Sequence, residues 1–207
     1  VRHSPIPIWL RPACAGLAVG LIALFYPQVL GVGYEATDPA LNQQLAFSML
    51  FALLVAKVAA TSISIGLGFG AGVFSPSLFI GAMLGGAFGI VATMAFPELS
   101  SGHGAYTIVG MGAVAGAVLG APISTILMVF ELTGDYSITV AVMIATVIAS
   151  TVTQHLYGHS FFTWQLAKRG LNPKHGGEHQ LLRSVRVRDV MEQDFETVDP
   201  AATMVEI

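Results

Sequence analysis

The stretch Gly72-Val73-Phe74-Ser75-Pro76 has the residue types and spacing to hold an anion. It closes a glycine-rich turn, Gly70-Ala71-Gly72, and opens a long apolar run from Ser77 to Gly89. Pro76 suits a first helical turn, where a missing N–H costs nothing. The first N–H groups of a helix have no intrahelical acceptor. At membrane depth such donors must face protein, water or a ligand. They also carry the positive end of the helix dipole, which favours an anion. Broken helices of this kind are where transporters hold their substrates. The backbone N–H groups of Val73 and Phe74 are the candidate anion contacts, with Gly72, Ser75 and Pro76 shaping the turn. The competing reading is a plain helix start capped by neighbouring protein.

Few other side chains could do chemistry. From Leu41 to Ala167 the only charged residues are Lys57, Glu98, Glu131 and Asp135. Glu131 stands near the end of an apolar segment, and an intramembrane acid is costly and by default functional. It either takes part in an ion or proton path or is hydrated or paired beside the turn Thr133-Gly134-Asp135-Tyr136. Lys57 has three open readings: snorkelling, pairing with an acid from a part of the protein outside this chain, or adding positive potential to an anion route. His3, His103, His155, His159, His175 and His179 form no compact metal-ligand set, and Gly158 is expected to break a helix between His155 and His159. Cys14 is the only cysteine, which excludes an intrachain disulfide. No nucleophile–base arrangement, P-loop or dinucleotide fingerprint is present. Gly66-Leu67-Gly68-Phe69-Gly70 lacks the Lys-Ser/Thr that phosphate binding needs.

The elements that must position these residues are membrane helices. Of the 207 residues 54% are hydrophobic and only 10% charged, with a mean hydropathy of +0.73. Soluble domains carry about 25% charged residues. The net charge of −3 is too small to imply a nucleic-acid partner. Apolar segments run over Ala13–Leu30, Leu45–Ile65, Pro76–Phe96 and Ile138–Leu156. A crossing needs about 20 residues. Tyr106–Leu119 and Pro122–Leu132, split by Gly120-Ala121-Pro122, fall short of that and read as partial or re-entrant helices. Gly31 to Pro39 is a loop or short interfacial helix, and Phe161–Lys168 a last short helix stopped by Gly170. Gly81, Gly85, Gly89 and Gly112, Gly116, Gly120 recur at four-residue spacing, which lets helices approach closely in lipid.

A composition boundary falls near Lys168. Lys168, Arg169, Lys174, Arg183, Arg186 and Arg188 crowd beyond it, so the positive-inside rule places the C-terminus in the cytoplasm. Residues 171–184 read as a hydrophilic linker. Residues 185–207 alternate like a soluble strand entering a short helix. Neither end reads as natural, and the chain is expected to be a piece of a longer protein.

Three motifs in register resemble the CLC family of chloride channels and chloride/proton exchangers. Gly72-Val73-Phe74-Ser75-Pro76 is similar to that family's GxFxP anion-site motif. The second is Gly110-Met111-Gly112-Ala113, leading through Gly120-Ala121-Pro122 to Glu131-Leu132-Thr133-Gly134-Asp135-Tyr136. The third, Ser160-Phe161-Phe162, lies where the family's last membrane helix begins. The tail from Val187 to Pro200 resembles the start of a cystathionine-β-synthase-type (CBS) domain.

The resemblance implies an all-α polytopic fold in which residues 1–170 are the C-terminal half of an inverted-repeat transport domain. Broken helices from both halves meet at the anion. The half that would supply a serine to the ion and a gating glutamate has no counterpart here. At the position of Phe162 many family members have a tyrosine whose hydroxyl donates to the ion, and phenylalanine cannot donate. Phe162 then lines the path as an apolar wall or simply packs. The implied function is transport of chloride or a similar small anion, and no enzymatic activity. A secondary transporter for another small anion and a membrane-embedded enzyme are the alternatives. The enzyme requires a polar catalytic cluster that the apolar segments do not supply. No cofactor is implied for the membrane part, and a nucleotide is a candidate ligand of a complete CBS domain. The implied partners are the lipid bilayer, the N-terminal half of the same protein, and a second copy docked through Pro122–Leu132 and Ile138–Leu156.

Overall fold

The computed structural model describes residue 7 and residues 9–168, apart from 71 and 101. Every regular element among the described residues is helical. Helix α1 (Arg11–Phe25) opens with a proline in its first turn. It ends before Pro27, so the first apolar run is divided into α1 and a 3₁₀ turn, Pro27–Val29. A proline has no N–H to continue the ladder and disfavours helical backbone in the residue before it. The stretch after Gly31 contains α2 (Tyr34–Leu41).

Then follow α3 (Phe47–Gly66), α4 (Phe74–Ala95), α5 (His103–Leu119), α6 (Pro122–Thr133), α7 (Tyr136–Tyr157) and α8 (Phe161–Lys168). Three helical stretches are long and apolar enough to cross a membrane: Phe47–Gly66, Phe74–Ala95 and Tyr136–Lys168. At about 1.5 Å per residue, α3 alone is about 30 Å long, the thickness of a hydrocarbon core. The protein is an integral membrane protein. Helices α5 and α6 are too short to cross, and Gly120, at φ +72°, ends α5 in the left-handed conformation.

Residues 1–164 form one compact unit, and residues 165–207 a second, of which only Gln165–Lys168 are described. Within the first unit α4 packs on α5, α3 and α2, while α5 also packs on α7 and α6. The membrane-length window of α4 is 44% buried, against 28% for that of α3, so α4 is the more enclosed of the two. Leu53, Phe79, Ala82 and Met83 form the centre of the core around it.

Glycines set how closely α4 and α5 meet. A Cβ on Gly85 would lie 3.0 Å from the carbonyl carbon of Tyr106 and nearer still to its oxygen. Gly81 and Gly110 face each other in the same way. Gly112 and Gly116 seat the side chains of Val142 and Thr146 of α7 instead. Small residues thus serve two different contacts on α5, one on each side. The linker 171–184 and the CBS-like segment 185–207 lie outside the described residues.

Candidate anion site at the start of helix α4

Helix α4 begins at Phe74, two residues before the proline expected to open it, with Val73 as N-cap. The first helical bond is donated by the Ser77 N–H to the Val73 carbonyl, and the Ser77 hydroxyl donates to that oxygen too. Pro76 is the third helical residue, where it removes one donor that would otherwise lack a partner. The N–H groups of Val73, Phe74 and Ser75 remain. None has an acceptor among the described residues, and no side chain caps the helix. Three amides therefore converge at one helix end, carrying its partial positive charge.

The walls of this end are mostly apolar. The Val73 side chain is buried and Phe74 is partly exposed. Ser75 does not point its hydroxyl into the amide cluster; it donates to the carbonyl of Val32 at 3.2 Å. Behind the turn lies Lys57 of α3, only 3% exposed. Its Nζ donates to the carbonyls of Val29 at 2.7 Å and Gly31 at 3.0 Å. It also stands 4.8 Å from the centroid of the Phe79 ring on α4. The ammonium neither reaches the surface nor pairs with a carboxylate among the described residues. A cavity of about 160 Å³ beside it is lined by Leu30, Gly31, Lys57, Thr61, Ser64 and Pro76.

The remaining candidates stand apart from this cluster. Glu131 is exposed in the last turn of α6. Phe162 is about half exposed on α8 and meets Phe161 edge-on at 5.7 Å. Among the described residues no hydrogen bond, ion pair or ring contact joins either of them to the start of α4. No group of three metal-ligating side chains occurs among the described residues. Gly158, at φ +74°, separates His155 from His159, and His3, His175 and His179 lie outside the described residues.

Sequence reasoning missed two contributors. One is the Ser75–Val32 bond, which joins residues 43 apart and leaves no local pattern. The other is Gly33, at φ +89°, whose missing Cβ would sit 2.7 Å from Cε2 of Phe79 and closer still to Cδ2. Its signal was the Gly31-Val32-Gly33 spacing, read only as part of a loop or short interfacial helix.

A family model described as "Voltage gated chloride channel" matches residues 1–154. The chain belongs to this family. The match takes in the whole α4 start together with Lys57 and Glu131, and it ends before Phe162.

A relative named "Putative chloride channel protein ClcB-like", from Ralstonia nicotianae, is 38% identical over 156 residues, which are 75% of this chain and 36% of the relative. "H(+)/Cl(-) exchange transporter ClcA" of Vibrio cholerae serotype O1 is 33% identical over 80% of this chain and 35% of its own length. "Voltage-gated ClC-type chloride channel ClcB" of Escherichia coli O127:H6 is 34% identical over 78% of this chain and 38% of its own length. The chain thus spans little more than a third of each of these relatives.

Proposed function

We propose that this chain forms part of a membrane domain that transports chloride, and that the N–H groups of Val73 and Phe74 hold the ion. The observation that carries this reading is the set of acceptor-free amides at the start of α4. Amides attract an anion with partial charges and release it again, which a conducting site requires. Family membership supports the choice of chloride. The relatives' names divide between channel and proton exchanger, and the reading covers both.

The same reading assigns Gly72, Ser75 and Pro76 to the turn, Phe162 to the wall of the path, and Glu131 to the ion or proton route. It places the C-terminus in the cytoplasm and the 185–207 segment at the start of a CBS domain that takes a nucleotide. It completes the site with the N-terminal half of the same protein. It docks a second copy on α6 and α7, where Ile123, Leu127, Ile144 and Ile148 are exposed apolar side chains.

The test is an insertion of one residue between Gly72 and Val73 in the protein that contains this chain. The inserted residue rotates the turn against the helix and re-aims the amides. Chloride efflux from liposomes is expected to be lost while the purified protein keeps its elution volume in detergent. Full efflux from a well-folded insertion variant removes the amide site.

A further inference from the structure

We infer that Lys57 is a positioning residue for the anion site, acting through the strap of residues 29–33. The inference rests on the amide reading above. Lys57 sits on α3, and its ammonium grips the strap by two carbonyls, Val29 at 2.7 Å and Gly31 at 3.0 Å. The strap in turn grips α4. Its Val32 carbonyl accepts from the Ser75 hydroxyl, one residue from Phe74. Its Gly33 lies so close to the Phe79 ring that any side chain there would collide. Lys57 closes the loop by standing over the same ring, 4.8 Å from its centroid. One cation therefore ties α3, the strap and the first two turns of α4 into a single unit.

The chemistry of the grip explains why a lysine stands there. The Val29 carbonyl is buried where the ammonium meets it, and an unpaired carbonyl there would cost free energy, while the Gly31 carbonyl is only part-buried. A charged donor makes stronger hydrogen bonds than a neutral one. The ammonium has three donors. Two are committed to the strap, and the ring face receives the remaining positive charge. With the strap fixed, Ser75 is held from outside the helix, and the three acceptor-free amides keep one direction. The amides are the part of the site that this helix start supplies, and how well they meet one anion against another depends on that direction.

The experiment uses the protein that contains this chain, in liposomes, with chloride, bromide and nitrate as probes. Lys57→Met removes the grip and the charge together. Ser75→Ala keeps the charge and removes the hydrogen bond by which the strap holds the start of α4. A positioning role predicts that both variants shift the chloride-to-nitrate flux ratio by about five-fold, the equivalent of about 1 kcal/mol. It also predicts that the double variant shifts it no further than the larger single one, because both changes unfasten the same strap. Lys57→Arg, which can still donate to both carbonyls, is expected to recover most of the ratio.

A role as a distant charge alone predicts otherwise. Lys57→Met would then lower flux of all anions in proportion, Ser75→Ala would leave the ratio unchanged, and the inference falls. If Lys57→Met does not fold, Ser75→Ala and Lys57→Arg decide the matter by the same ratio. The insertion between Gly72 and Val73 separates the two readings. Loss of chloride flux there, with an unchanged ratio in Ser75→Ala, overturns the strap alone. Retained flux there overturns the amide site beneath it.

Discussion

The close backbone approach of α4 to α5 suggests a comparison between two adjacent glycines, Gly85→Ala and Gly86→Ala. Both lie inside α4, so each substitution gains the same helix propensity, about 1 kcal/mol. They differ in what the new methyl meets. At Gly86 it meets the Thr107 hydroxyl at 3.2 Å and two Leu50 methyls at 3.4 Å, which are side-chain atoms that have to give by only a few tenths of an ångström. At Gly85 it meets the α5 backbone, with the Tyr106 carbonyl carbon at 3.0 Å and the Gly110 Cα at 3.1 Å. Backbone cannot yield locally, so the helices must part. A gap of about 0.5–1 Å forfeits a quarter to a half of each dispersion contact along the crossing, and overpacking of this kind costs about 1–3 kcal/mol.

Gly86→Ala is therefore expected to be neutral or slightly stabilising, and Gly85→Ala less stable than Gly86→Ala by about 1–3 kcal/mol. Thermal unfolding in detergent, on the protein that contains this chain, reads the difference as a lower melting temperature for Gly85→Ala. Chloride affinity, measured in parallel, is expected to fall in Gly85→Ala, because α4 carries the site at its start. Equal melting temperatures for the two variants would refute the claim that the α4–α5 crossing is set by backbone contact.

Two further perturbations address the ends of helices. Phe162→Tyr adds a hydroxyl that can donate to the ion, and a hydrogen bond to a charged partner contributes about 1.5–3 kcal/mol before the desolvation of the hydroxyl is subtracted, so chloride affinity by calorimetry is expected to rise by about ten-fold or more; equal affinities place Phe162 away from the ion. Asp135 caps α7 by accepting from the N–H groups of Ser137 at 2.7 Å and Ile138 at 3.1 Å. Asp135→Ala is expected to cost about 1 kcal/mol and Asp135→Asn much less. Amide hydrogen exchange at Ser137 and Ile138 checks this, and unchanged exchange in Asp135→Ala removes the cap from the account.

Helix positions were legible because this chain signals its breaks with glycine and proline. Gly120, Gly134 and Gly158 all adopt positive φ and end α5, α6 and α7. Pro122 opens α6 where the split was expected. The start of α4 shifted by two residues, because a proline is tolerated throughout the first turn and so does not fix the N-cap. The turn Gly134-Asp135-Tyr136 contains a capping acid that the pattern around it did not single out. Which glycines face which helix was not legible. Four-residue spacing marks a face, and nothing in spacing shows that Gly110 rather than Gly112 meets α4. Long-range polar contacts were equally silent, since Lys57 to Val29 spans 28 residues.

The handling of Lys57 bears on how an anion site can avoid trapping its ion. An ammonium in direct contact with chloride in a water-poor region binds strongly, because little solvent screens the pair. A transport site must also let go. Here the cation is present but two of its three donors go to carbonyls of the strap, and it stands over the Phe79 ring. Carbonyl partners differ from a carboxylate in one respect that matters. They satisfy the hydrogen bonds of the ammonium without neutralising its charge. The strap can then be held by strong, charge-assisted bonds, and in the proposed site contact with the ion would be left to neutral amides whose positive character is only partial. Replacing the carbonyl grip with an acid would hold the lysine equally well and cancel its charge. On the proposed reading, a buried cation that holds and amides that touch would together fix a helix end without binding the ion too tightly.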